Sequence, residues 1–383
     1  MISSLYLSFA GFEEMARRSK LYEAQRAEGA QFTEDRGWEV AQKFSSVDEE
    51  YETLKRSVGL LDLTSSGLIE ATGPDRVRFL HGMLTNNIKT LNAGQGCYAA
   101  MLTPQGRTVA DMRVFCLRDS LILTVEPGLP EKVAIGLKKF IISDQVQLLD
   151  RSEELALLSI QGPKAGELLS QITSHRDPPP QLFDHCEAET QLGKVRVCRV
   201  DRTREGGYDL IVSQKNLLEF WSLIQQTAKW LGTKPVGLDA LNIHRVEAGI
   251  PRYGVDLDET NLPLEAGLDH AISLNKGCYM GQEIIARATY LGHLNRKLVG
   301  LLLAGGRPAH RGDKVFQKEQ EVGWITSSVY SPSLQRAIAM GYLRREAMEP
   351  GTNLRVEHAG TSIPVEVTRL PFITDKLPIG TRA

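Results

Sequence analysis

The pattern of apolar and polar positions changes character once along the chain. In DEEYETLKRSV, residues 48–58, charged residues are interleaved with Tyr51, Leu54 and Val58, the spacing of one helix face. GLLDLTSSGLIEATG then reads as strand and stops at Gly73-Pro74. PDRVRFLHGMLTNNI follows as an amphipathic helix, with Pro74 suited to its first turn and Val77, Leu80 and Leu84 along one side. Residues 95–125 read as two or three strands, broken by the turn signals TPQGR at 103–107 and RDS at 118–120. EKVAIGLKKFII is helical, LALLSIQG is a buried strand and PKAGELLSQI is a further helix. HRDPPPQ, residues 175–181, is irregular, because three successive prolines continue neither element. Strand VRVCRV, turn DRTREGG, strand YDLIVS and helix NLLEFWSLIQQTAKW come next. Short alternating units of this kind, with no fixed glycine fingerprint, predict an α+β fold rather than a doubly wound parallel sheet.

The change comes at about residues 294–298. From Lys297 the pattern is one of short strands, KLVGLLLAG, DKVFQ, EVGWITSSVY, RAIAMGYL, NLRVEHAG and TSIPVEVTRL, spaced by Gly, Pro and Asn turns. That spacing predicts a small all-β barrel or sandwich, with Trp324 partly buried. The chain thus divides into a core over 1–296, whose first 20 residues form a loose extension, and a second domain over 297–383.

Composition narrows the class. With 383 residues, 42% hydrophobic and 24% charged, this is a globular chain of two or three domains. A formal net charge of −2 gives no long-range attraction to nucleic acid or anionic lipid. The N-terminus MISSLYLSFAGFEEMARR lacks a basic leading segment and reads as a loose extension or helix start, not a signal peptide. No apolar run reaches the ~20 residues of a membrane span. The five cysteines, Cys97, Cys116, Cys186, Cys198 and Cys278, are odd in number and include no CxxC pair. This argues against a disulfide framework, a thiolate metal site or a locally ligated iron–sulfur cluster, and for a reducing, cytoplasmic setting. No GxGxxG or Walker-type loop is present, so nucleotide binding has no support.

Four stretches carry candidate chemistry. In KGCYMGQE, residues 276–283, Cys278 lies between Lys276 and a helix start at GQEIIARA. A neighbouring cation, flexible glycines and a helix N-terminus together lower a thiol pKa; the plainer reading is a small buried hydrophobe. In DRTREGG, Glu205 is either a solvated turn residue or a two-point acceptor for an NH-rich heterocycle. HRVEAGIPRYG places Arg245 two residues before Glu247, either as a paired structural element or as part of a site that also holds Tyr253. Asp111 stands inside the strand-like TVADMRVF, although aspartate is depleted in strands, so it is a bulge or edge residue or one placed for use.

Taken together, from about Leu21 to Arg369, these stretches resemble the folate-binding superfamily of the glycine cleavage T-protein. KGCYMGQE matches the KGCYxGQE signature of its YgfZ group, a cysteine the T-protein lacks. The resemblance implies a three-domain ring, two interleaved α+β domains and a C-terminal β-barrel, around a pocket for tetrahydrofolate or another reduced folate. Glu205 is similar to the glutamate that holds the pterin, and Arg245 and Tyr253 fall in the matching element beside the folate, with Lys276 adjoining. Asp111 corresponds to the second aspartate of the T-protein GGxxDD element, credited with activating the folate; the first is Ala110 here, and Gly106-Arg107 replaces the paired glycines. Two functions follow, with a scaffold that keeps the pocket only as a relic as a third. One is a folate-binding accessory factor for iron–sulfur enzymes, tRNA-modifying ones included, with Cys278 as its thiol at the pocket mouth and those enzymes as transient partners. The other is a folate-dependent aminomethyltransferase working through Asp111. A monomer with no metal and no direct nucleic-acid or membrane partner is expected in either case.

Overall fold

The computed structural model describes residues 16–173, 177–290, 292, 294–358 and 360–374. The N-terminal extension read from the sequence therefore lies mostly outside the described residues.

Two large sheets and a small three-stranded one over 17–43 share the first two-thirds of the chain. Gly59–Asp62 enters one and, after a turn, Gly67–Thr72 enters the other, so the two domains are interleaved from the start. The first sheet is antiparallel, in the order Gln95–Leu102, Thr108–Cys116, Leu121–Val125, Gly67–Thr72, Gln147–Asp150. Helices Arg76–Met83 and Pro130–Lys138 bury Leu80, Val133 and Leu137 on it. The second sheet runs His185–Thr190, Gly193–Arg199, Gly207–Ser213, Leu155–Gln161, Gly59–Asp62, Lys234–Pro235. Helices Ala165–Ile172 and Leu217–Thr227 cover it with Leu168, Leu169, Phe220 and Trp221. The helix Val47–Arg56 starts at Ser46, whose hydroxyl accepts from the Glu49 N–H, and it buries the expected Tyr51 and Leu54.

The C-terminal strands, Arg296–Leu303 through Thr361–Thr368, close into a six-stranded barrel. Trp324 is half-buried and stacks on Tyr342 at 5.3 Å. Fold class and barrel are those expected. A hairpin of Gln31–Asp35 and Trp38–Lys43 was not, and the reason is local: all six residues of its second strand are half-buried, so no sharp alternation marks it. The helix expected over 74–88 is shorter, Arg76–Met83, although Leu84 is still buried beyond its end.

Candidate functional site

Asp111 sits in the Thr108–Cys116 strand opposite Ala100, away from the irregularity between Met101 and Leu102. It is therefore not a bulge residue. It is 7% exposed, and its Oδ2 accepts a hydrogen bond from the Tyr98 hydroxyl on the adjacent strand. Its Oδ1 is buried and accepts from no other residue among those described. Burial, and next the charge of Glu126, push the Asp111 carboxyl up. Burial and then Asp111 push the Tyr98 phenol up as well, so the hydroxyl stays protonated as the donor.

Tyr98 carries this pair to a cavity of about 610 Å³. All three domains contribute to its wall: Tyr98 and Arg113 from the first, Phe183, Asp201 and Arg204 from the second, Lys297 to Val299 from the barrel. A second chamber of about 670 Å³ shares Tyr98, Phe183, Asp201, Arg204 and His270, so the two form one central space. The Tyr98 ring lies nearly parallel to His270 at 5.2 Å and to Phe183 at 6.1 Å. Phe183 and Arg204 hold φ of 65° and 63°. Left-handed backbone is costly for bulky side chains and collects at functional sites. The Arg204 turn is held by Asp201, whose carboxylate accepts from the N–H groups of Thr203 (3.1 Å), Arg204 (2.6 Å) and Gly206 (3.2 Å).

Beside the site runs a lattice of charge. Glu126 meets Arg252 at 3.1 Å and Arg36 at 3.7 Å, while Arg202 grips Asp209 through two bonds of 3.0 and 2.6 Å. Burial alone would raise Glu126, but Arg252, Arg36, Arg202 and Arg113 reverse this and leave it at about 2.

The other sequence candidates lie apart from the cavity wall. Arg245 is committed to Asp256 at 2.5 Å and to Ser327 at 2.7 Å, which ties the helix Leu238–Glu247 to the barrel. The Tyr253 hydroxyl accepts from Lys132 at 3.4 Å and donates to the Thr108 carbonyl. Glu205 follows Arg204 in the turn; burial first, then Glu247 and last the Glu205 charge, push the Tyr51 phenol up.

In KGCYMGQE, expected to hold a lysine beside a reactive thiol, the lysine has backbone partners of its own. Lys276 is 6% exposed, and its ammonium donates to the carbonyls of His81, Leu84 (2.5 Å) and Asn86 (3.0 Å), at the C-terminal end of helix Arg76–Met83. A cation there satisfies orphan carbonyls. Burial draws its pKa down to about 8. Lys276 thus caps the end of that helix and lines neither chamber. Gly281, at φ +80°, touches the 103–107 turn so closely that a Cβ would fall 2.6 Å from the Thr103 carbonyl; Gly277 has open space and no positive φ. Tyr279 is buried against Ala100, Leu102 and Ile285. Cys278 alone among the cysteines is exposed; the lining of the second chamber reaches Asn275, three residues before it, and does not include it.

The N-terminal domain model of the glycine cleavage T-protein matches residues 21–276, and the T-protein C-terminal barrel model matches 296–373. The chain belongs to the glycine cleavage T-protein family. It is 30% identical to the aminomethyltransferase of Halothermothrix orenii over 359 residues, 93% of this chain and 100% of that protein. The aminomethyltransferase of Bacillus licheniformis is 31% identical, covering 94% and 99%. The crystal structure of glycine cleavage system aminomethyltransferase T from Bartonella henselae superposes with a TM-score of 0.86 at 25% identity, over 94% of this chain and 98% of that one. Within this T-protein frame, Tyr98, Phe183, Arg204 and His270 went unnoticed in the sequence. Tyr98 was the one with a usable signal: a tyrosine paired across the hairpin from the Asp111 region.

Proposed function

We propose that this T-protein family member is a cytoplasmic, tetrahydrofolate-dependent aminomethyl- or one-carbon transferase in which Asp111 handles the proton. The observation that carries the reading is the buried Asp111–Tyr98 pair at the wall of the three-domain cavity. The cavity has the size of ligand pockets, about 300–1,000 Å³. It offers parallel aromatic faces, and two buried atoms beside it, Asp111 Oδ1 and Arg113 Nε, lack partners among the described residues. Those features suit a flat heterocycle bearing both donors and acceptors. Reduced folate supplies a nucleophilic ring nitrogen that accepts a one-carbon unit. Asp111, its carboxyl raised by burial, is the group placed to exchange a proton, and Tyr98 fixes the carboxyl's orientation. Asp111→Asn keeps shape and loses proton exchange. Methylenetetrahydrofolate formation in a reconstituted glycine cleavage assay should fall about 10²–10⁴-fold, with folate binding retained; unchanged turnover removes Asp111 from the chemistry. Glu205, assigned to the pterin by resemblance, is tested by Glu205→Gln, for which titration calorimetry should read a loss of about tenfold or more if its carboxylate accepts from the ligand.

A second reading rests on the exposed Cys278: a folate-binding factor of the YgfZ kind that supports iron–sulfur enzymes through this thiol. Deleting the gene and restoring it as wild type or Cys278→Ala, with iron–sulfur enzyme activities and glycine cleavage measured in parallel, separates the two. Loss of only the iron–sulfur activities in Cys278→Ala favours the second.

A further inference from the structure

The barrel carries a cluster of ligating side chains that has no part in the cavity. His310 and Asp313 lie in the connection between strands Arg296–Leu303 and Lys314–Gln317, and His358 ends the strand Asn353–His358. The register Lys314↔Glu357 continues one residue outward to set Asp313 opposite His358. His358 Nδ1 stands 2.9 Å from Asp313 Oδ2, and the rings of His310 and His358 meet at 4.0 Å. One ligand atom from each of the three lies within 4.8 Å of the others. We propose that His310, Asp313 and His358 form a binding site for a borderline divalent first-row metal ion of the zinc type.

The donor set has the right chemistry. Two imidazoles and one carboxylate suit zinc and its neighbours, leaving a fourth position to water. Ligand atoms bound at about 2.0–2.2 Å in a tetrahedron stand roughly 3.3 Å apart, so the observed spread closes with small side-chain rotations. The scaffold is already held. The Asp313 carbonyl accepts from the Ile325 N–H at 2.9 Å, Gly312 donates to the Ile325 carbonyl at 2.8 Å, and the His310 N–H donates to Asp313 Oδ2 at 2.7 Å. Neighbouring cations are engaged elsewhere: Lys314 with Glu321 at 3.0 Å, and Arg311 with the Gly254 carbonyl at 2.9 Å. A bound ion would therefore tie the Arg311 loop, which rests on the segment at Gly254, to the end of the adjacent barrel strand Asn353–His358.

The test is calorimetric titration of the tag-free full chain with Zn²⁺, with Co²⁺ absorption as a probe of coordination. One equivalent should bind, with a tetrahedral cobalt spectrum and a raised melting temperature. Loss of even an outer partner of a metal site costs about 10–100-fold in affinity, so His358→Ala and Asp313→Asn should each lose at least that, and zinc should no longer shift their melting. Cys278→Ala should bind zinc as the wild type does. Absence of stoichiometric binding, binding unchanged in both barrel variants, or binding lost in Cys278→Ala would each overturn the proposal. Circular dichroism of the zinc-free variants shows that they fold.

Discussion

The strand that bears Asp111 and the segment KGCYMGQE make opposite use of unusual residues. Asp111 breaks the local rule for a strand, and the structure supplies no compensating ion pair: its nearest partner is a neutral phenol, one carboxylate oxygen is unmatched, and the cavity is one side chain away. In KGCYMGQE nearly every conspicuous residue is explained by packing. Lys276 caps a helix, Tyr279 fills a small core and Gly281 lets the segment touch the 103–107 turn. The Cys278 thiol faces solvent, as do Gly277 and Glu283. A vivid motif can therefore be mostly architecture, while a residue that merely looks misplaced leads to the central cavity.

Function gives the largest contrast. Asp111→Asn should lower one-carbon transfer by about 10²–10⁴-fold, whereas Cys278→Ala should leave the transfer assay unchanged. A collapse of transfer in the cysteine variant would reverse the assignment of the two regions.

The acid limb of stability comes second. Glu126 is depressed to about 2 in the folded protein by the surrounding arginines, against the usual 4.5. Between those values the unfolded chain binds a proton that the folded one does not, so stability falls as pH drops from 4.5 towards 2. Its share is about 3 kcal/mol, fully present above the unfolded pKa. Urea titrations across this range should show a shallower acid loss for Glu126→Gln, whose stability at neutral pH is already lower; parallel curves would mean the charge lattice beside the cavity is not coupled to folding.

How much of this was legible follows from what each residue's neighbours in sequence reveal. The barrel strands announce themselves by regular turns, and Tyr51 and Leu54 by helical spacing. The hairpin over 31–43 is half-buried on both faces, so its period is blurred. The cavity wall is assembled from side chains far apart in the chain, such as Tyr98, Arg204 and Lys297, and no local pattern foretells that meeting. Likewise Lys276 is two residues from Cys278 in sequence, yet its ammonium reaches carbonyls some 190 positions earlier.

The glycines of KGCYMGQE sharpen the comparison at the next level. Gly281→Ala forces a Cβ onto the Thr103 carbonyl at positive φ and should cost about 1–3 kcal/mol. Gly277→Ala meets nothing and should stay within about 0.5 kcal/mol of wild type. Equal costs would mean that the segment is not anchored on the 103–107 turn.

The smallest expected effect is the most discriminating for Cys278. If the thiol owed its reactivity to the neighbouring cation, Lys276→Met would slow its alkylation. The structure turns that cation inward onto three carbonyls, so the labelling rate of Cys278 should be unchanged, while stability falls by about 1–3 kcal/mol as buried acceptors lose their donor. In the wild type, Cys278 should still react faster than the other four cysteines. Cys116, Cys186 and Cys198 have thiols pushed up by burial, and Cys97 is buried. Peptide-resolved iodoacetamide labelling of folded wild type and Lys276→Met reads both points. A slower Cys278 in the variant, with the fold intact by circular dichroism, would restore the lysine as its activator; an unchanged rate leaves exposure alone as the reason this thiol reacts.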